Sequence, residues 1–162
     1  MTATSTPGSE SVTTSAPRSR ALRRRDTERR LAGDVDVWVA TASAEGMPYL
    51  VPLSFDWDGA ALLVATPADS PTGRNLAASR TVRLALGATR DVTMIDGDVA
   101  VLDLAALPPE QGDRFVTRTG FDPRTLATPY RWFRITPRRI QAWREADELT
   151  GRDLMRDGHW VV

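Results

Sequence analysis

The chain has 162 residues, 41% hydrophobic and 26% charged, and its 21 basic and 21 acidic side chains cancel to a formal charge of zero. This is the make-up of one ordinary globular domain, and a balanced surface offers no uniform field to nucleic acid or to an anionic membrane. There is no cysteine and no lysine, and His159 is the single histidine. Disulfides, thiolate nucleophiles, Cys-ligated metals, Schiff-base lysines and multi-histidine metal sites are excluded. No side chain stands out as catalytic and no metal is expected, so an enzymatic reading needs a bound organic cofactor.

Residues 1–20 are rich in Ser, Thr, Pro and Gly and predict a disordered tail. Residues 21–33 predict a lead-in helix that is dense in arginine (Arg23, Arg24, Arg25, Arg29 and Arg30, with Arg20 just before) and has little to bury beyond Leu22 and Leu31. Its two readings are a solvated helix and an arm for an anionic partner. No run approaches the roughly 20 apolar residues that span a bilayer. The N-terminus also lacks the apolar core of a secretory signal, so a cytoplasmic protein is expected.

From Asp34 the pattern switches to period two, the mark of half-buried strands. Val35, Val37 and Val39 alternate with Asp36, Trp38 and Ala40; Glu45-Gly46 turns the chain into a second run, Met47 to Trp57. There Tyr49, Val51, Leu53, Phe55 and Trp57 share one face, and Asp58-Gly59 predicts a two-residue type I′ hairpin into Ala60 to Thr66. Ser70-Pro71 signals a helix start. Thr81 to Ala88, Asp91 to Leu104 and Tyr130 to Trp143 again read as strands, with a bend at Asp96-Gly97 and a break near Pro137. Pro108-Pro109-Glu110 opens a helix that Gly120 closes, carrying Phe115 inward. A polar C-terminal tail over 146–162 follows. About six meandering strands with inserted helices describe a mainly β fold, a small antiparallel barrel with peripheral helices over 34–145. Most of the five tryptophans are expected in its core.

Chemistry concentrates at Ser70 to Asn75. A cap, a proline and a glycine make a helix N-terminus with free N–H groups and a positive dipole end, which suits an anion. Thr72 adds a hydroxyl, Gly73 permits close approach, and Arg74 adds a bidentate fork that matches phosphate. The same residues also read as a plain structural cap.

The order Val51-Pro52-Leu53-Ser54-Phe55, Trp57-Asp58-Gly59, Ala65-Thr66-Pro67, Pro71-Thr72 and Arg74-Asn75-Leu76, closing with Ile140-Gln141-Ala142-Trp143, resembles the FMN-binding split β-barrel proteins related to pyridoxamine 5′-phosphate oxidase. The superfamily includes FMN and deazaflavin oxidoreductases. The resemblance implies a six-stranded antiparallel split barrel. It implies a flavin ring lying against Val51, Pro52, Leu53 and Ser54, and a ribityl phosphate held by the segment with Thr66, Ser70, Thr72, Arg74 and Asn75. It further implies a homodimer with the cofactor at the subunit interface, where Trp143 borders it from the other subunit, and a small-molecule substrate. Two departures stand out. Thr72 occupies the place of a phosphate-binding lysine. In Arg152-Asp153-Leu154-Met155-Arg156, Leu154 stands where the oxidases carry a substrate-binding histidine, which argues against pyridoxamine phosphate oxidation itself. The expected function is FMN-dependent hydride transfer. The alternatives are a deazaflavin-dependent reductase, whose acidic cofactor tail the Arg20 to Arg30 cluster would meet, and a non-catalytic flavin-binding module.

Overall fold

The computed structural model describes residues 16–162. The sequence-predicted tail over 1–20 therefore lies outside the described residues up to position 15. By Arg18 the chain is already anchored.

Helix α1 (Arg20–Gly33) leads into strands β1 (Asp36–Ala42), β2 (Pro48–Trp57) and β3 (Leu62–Pro67). Helix α2 (Pro71–Ser79), β4 (Thr81–Ala88), β5 (Asp91–Asp103), α3 (Pro109–Thr119) and β6 (Tyr130–Trp143) follow, then β7 (Asp153–Arg156) and β8 (His159–Trp160). The sheet runs β3-β2-β1-β4-β5-β6 and closes through β3 against β6, all pairs antiparallel. The fold is thus mainly β: a closed six-stranded antiparallel barrel with peripheral helices, as the sequence pattern implies. Past Trp143 the chain is not a plain tail, because β7 and β8 extend the sheet from the distal half of β6.

Alternation along the strands sorts two cores. Val37, Val39, Phe55, Leu84, Ile95 and Ile140 fill the barrel interior. On the outside, Leu63, Ala65 and Trp132 lie under Phe115 of α3, whose ring meets Trp132 edge-on with centroids 5.0 Å apart. Trp132 is the one tryptophan that is fully buried; Trp57, Trp143 and Trp160 are half-buried and Trp38 is exposed, fewer in the core than expected. A small barrel has room inside for only one layer of side chains, so large indoles at strand ends and on outward positions stay at the surface.

The Asp-Gly turns are distributed differently from the sequence expectation. At Asp58-Gly59 the flanking pair is Trp57 with Leu62, so the connection has four residues rather than two. The Asp58 carboxylate accepts from the backbone N–H of Ala60 and Ala61, both at 2.8 Å, and this local capping outcompetes the tighter turn. Burial works to raise the Asp58 carboxyl, but those two N–H groups and Arg134 overcome it and hold it below its ordinary value. The two-residue hairpin occurs instead at Asp157-Gly158, where both residues have positive φ (49° and 78°) between the paired Arg156 and His159.

Helix α1 is docked by one face, with Arg23, Asp26, Thr27 and Leu31 buried, and solvated on the other. Arg18, just before it, is buried and donates to Asp26 (2.7 Å) and to both carboxylate oxygens of Glu148 (3.0 and 2.8 Å), joining residues 130 positions apart. Asp91 completes the cluster through Arg18, Arg30 and Arg144. Arg23 donates to the carbonyls of Ala142 and Glu148. Hydrogen bonds from Arg18, opposed by burial and helped by the N–H groups of Arg18 and Arg144, hold Glu148 at about 2 against the usual 4.5. A carboxylate depressed in the folded state stabilises fully above its unfolded value, and this contribution is lost as pH falls through about 4.5 toward 2. The shift corresponds to about 3 kcal/mol. Glu148→Gln is expected to lower the melting temperature at neutral pH by roughly 10 °C and to flatten its fall below pH ~4.5, as read by calorimetry across pH; an unchanged acid limb would remove Glu148 from that role.

Candidate cofactor-binding site

The sequence-predicted residues fall on three elements. On β2, residues alternate between inside and outside. Val51 pairs with Val39 and Leu53 with Val37, and both pack against the barrel core. Pro52, exposed, pairs with Trp38, while Ser54 donates to the Asp36 carboxylate at 2.7 Å. The outward face of β1 and β2 therefore presents Trp38 (48% exposed), Leu50 (60%) and Pro52, with Met47 (68%) at its end. A cleft of about 250 Å³ opens there between Trp38, Pro52, Ala85 and Gly87. No sequence signal singled out Trp38 and Leu50. Their even spacing opposite the core residues of the same strands marks them as outward, but only the absence of a covering element among the described residues makes them exposed.

On the β3–α2 connection the geometry is tight. Ser70 Oγ accepts from Gly73 N–H (3.0 Å) as the helix cap and donates its one proton to the Pro67 carbonyl (2.9 Å). Thr66 Oγ1, 3.2 Å away, is then the donor to Ser70 Oγ. The Arg74 N–H takes the Ser70 carbonyl. A side chain at Gly73 would stand 2.2 Å from the Pro67 oxygen, so only glycine lets the helix start fold back on the strand end. Thr72 is 2% exposed, and its hydroxyl does not open to solvent. Arg74 is exposed, and its Nη1 donates to the Asp69 carbonyl. Asn75 donates to Thr41 of β1 at 3.0 Å. Thr41 in turn walls a larger cleft of about 530 Å³, whose lining includes Ser43, Ser79, Thr81, Arg83 and Asp96. The charge there is internally balanced, since Arg83 grips Asp96 in a two-pronged ion pair (2.6 and 2.9 Å).

The structure thus gathers Thr66, Ser70, Thr72, Arg74 and Asn75 at one helix start, and α2 packs against β1 and β2. It does not gather Trp143. That residue ends β6 opposite Val92, stacked under Arg152 at 5.6 Å, and β6 is separated from β2 by β1, β4 and β5 along the sheet on one side and by β3 on the other.

The comparisons with known proteins agree with this architecture. The family model described as pyridoxamine 5′-phosphate oxidase matches residues 28–144. The chain belongs to that family. Among solved structures, family-type folds recur at low identity. An F420 reductase is 18% identical with a TM-score of 0.56, over 70% of this chain and 94% of that one. General stress protein 26 of Bacillus anthracis is 19% identical with a TM-score of 0.56, over 75% and 93%. The heme storage protein of Vibrio cholerae is 13% identical with a TM-score of 0.57, over 83% and 97%. Among curated proteins none matches the chain. No helix among the described residues is long and apolar enough to cross a membrane.

The packing at Gly73 gives a direct test of the helix start. Gly73→Ala is expected to lower the melting temperature by roughly 5 °C, because a backbone oxygen rather than a flexible side chain blocks the added methyl. Thermal unfolding checks this, and an unchanged midpoint would show that the strand end yields freely.

Proposed function

We propose that this member of the pyridoxamine 5′-phosphate oxidase family binds FMN and acts as a flavin-dependent oxidoreductase on a small molecule, as a homodimer with the cofactor between subunits. The observation that carries the reading is an exposed apolar strip, Trp38, Leu50 and Pro52, on strands packed against a helix start that offers a solvent-facing arginine. A flat ring suits the strip, and a phosphate suits Arg74, whose second nitrogens are open once Nη1 is bound to Asp69.

When bound, the flavin would supply hydride exchange at N5. The chain's own residues do the holding. The β2 segment Val51 to Ser54 offers its outward edge to the ring, with Ser54 oriented by Asp36. Ser70 and Thr66 fix the helix start, Thr72 packs beneath it, and Asn75 ties it to β1. Trp143 lies apart from this face in its own chain, so a site that uses it requires a second copy. The exposed Met47, Leu50 and Trp38 give such a copy an apolar surface to cover.

Two further observations narrow the reading. Leu154 is fully buried in β7, so the position where the oxidases carry a substrate-binding histidine faces the protein interior. This supports a reaction other than pyridoxamine phosphate oxidation. Of the α1 arginines that would meet the acidic tail of a deazaflavin coenzyme, Arg23 is held by carbonyls and Arg30 by Asp91, Arg24 and Arg29 make surface pairs with Glu28 and Asp26, and Arg25 is exposed. Most of these cations already have a partner, which favours FMN.

Titrating the protein with FMN and, separately, with the deazaflavin coenzyme is expected to give saturable binding of FMN, in the micromolar range or tighter. Arg74→Ala is expected to weaken it more than tenfold at unchanged melting temperature. Preference for the deazaflavin would replace the cofactor, and binding of neither would overturn the reading. Sedimentation velocity is expected to show a dimer that Leu50→Glu converts to a folded monomer; a dimer that tolerates the charge would place the interface elsewhere.

A further inference from the structure

The pairing of β5 with β6 is interrupted once. Asp96 stands opposite Arg139 and Gly97 opposite Pro137, which leaves Arg138 as an extra residue on β6. The elements of a β-bulge are all present. Pro137 has no N–H to give the ladder, and Gly97 lets Ile135 and the Thr136 carbonyl approach to 2.7 and 3.1 Å of where a side chain would begin. The bulge makes consecutive residues Arg138 and Arg139 both exposed and frees the Arg138 carbonyl, which accepts from Gly158 N–H of the β7–β8 turn at 2.9 Å.

Arg138 thereby borders three clefts: the 530 Å³ cleft already described, on the side of Asp98, and two others that meet at it. One, of about 400 Å³, has aromatic and apolar walls from Trp57, Pro137, Met155 and Trp160, with His159 at its rim. The other, of about 310 Å³, is lined by Arg138, Arg139, Arg156, Asp153 and Asp157. Arg138 and Asp157 belong to both, so the two are one continuous groove. Its charge is three arginines against two aspartates. Asp153 is already held by Gln141 (2.7 Å), Arg139 (3.0 Å) and Arg156 (2.9 Å). Arg138 has a single ion pair among the described residues, a long 3.5 Å approach to the exposed Asp98. Its planar fork is the least committed cation of the groove.

We propose that this groove, distinct from the cofactor face on β1 and β2, binds a small ligand carrying a flat apolar ring and an anionic group. The ring lies in the slot between Trp57 and Trp160, and the phosphate or carboxylate meets Arg138. Arg139 and Arg156 add to the positive field, while Asp157 disfavours a second anionic charge beside it. The cation of Arg24 above the outer face of Trp160, 4.6 Å from the ring centroid, fixes that indole as a wall.

The test uses the full chain and four probes in isothermal titration: 2-naphthyl phosphate, 2-naphthoate, 2-naphthol and inorganic phosphate. Saturable binding of at least one naphthyl anion is expected, with 2-naphthol and inorganic phosphate each at least tenfold weaker. The tighter of the two anions identifies phosphate or carboxylate as the group read. Arg138→Ala should weaken binding about tenfold at unchanged melting temperature, whereas Arg25→Ala, which removes an equal charge from exposed helix surface, should not. Indole N–H resonances should shift for Trp57 and Trp160 and stay in place for Trp38. Equal affinity in Arg138→Ala, absence of saturation by both anions, or a shift confined to Trp38 would each overturn the proposal.

Discussion

The structure depends on one strand serving three neighbours. β6 lies along β5 over its whole length, takes β3 against its first half to close the barrel, and takes β7 against its second half. Closure removes the exposed edges that an open six-stranded sheet would carry. It also fixes what remains outside. Helix α3 lies along β2 and sets Phe115 over Leu63, Ala65 and Trp132 at the β3–β6 seam, α1 lies against β6 and β7, and outward Trp38 of β1 and Leu50 of β2 stay exposed. The candidate cofactor face is a part of the barrel wall whose outward side chains Trp38, Leu50 and Pro52 stay exposed among the described residues.

The same strand explains the second groove. The 14-residue β6 pairs with β3 over its first half and with β7 over its second, and the bulge at Arg138 lies between the two spans. The irregularity turns an arginine out of the ladder and gives the β7–β8 turn a carbonyl to bond. One local defect thus attaches the C-terminal hairpin and shapes the surface beside it.

Charge is organised by pairing rather than by accumulation. With no lysine, every cation in the chain is a guanidinium able to make forked contacts with carboxylates and carbonyls. Of the arginines before and within α1, Arg24, Arg25 and Arg29 lie at the surface, while others dock the helix. Arg18 and Arg23 are buried against Glu148, Asp26 and backbone carbonyls. A helix with few apolar residues is held to a barrel by buried ion pairs, with the N- and C-terminal parts of the described chain locked together. Among the exposed arginines, Arg74 and Arg138 are the two that the proposals above give a ligand.

The sequence by itself determined the six barrel strands, the capped helix after the third strand, the inward faces of β1, β2 and β4, and the family. All of these rest on local signals: period-two alternation, Ser-Pro and Gly punctuation, and the order of short motifs. It also placed Ser70, Thr66 and Asn75 together, because they lie within ten residues of one another. Only the tertiary structure decided which outward residues stay uncovered, because Trp38 and Trp132 look alike in sequence and differ only in whether α3 lies over them. Only the structure decided which Asp-Gly becomes the two-residue hairpin, since neighbours outside the dipeptide supply the competing hydrogen bonds. It alone paired Arg18 with Glu148 and brought Arg138 and Trp160 to the walls of one cleft, for these placements join distant segments that no local pattern connects. Hydrophobic periodicity is written residue by residue, whereas burial of charge and exposure of an apolar face are properties of the closed barrel.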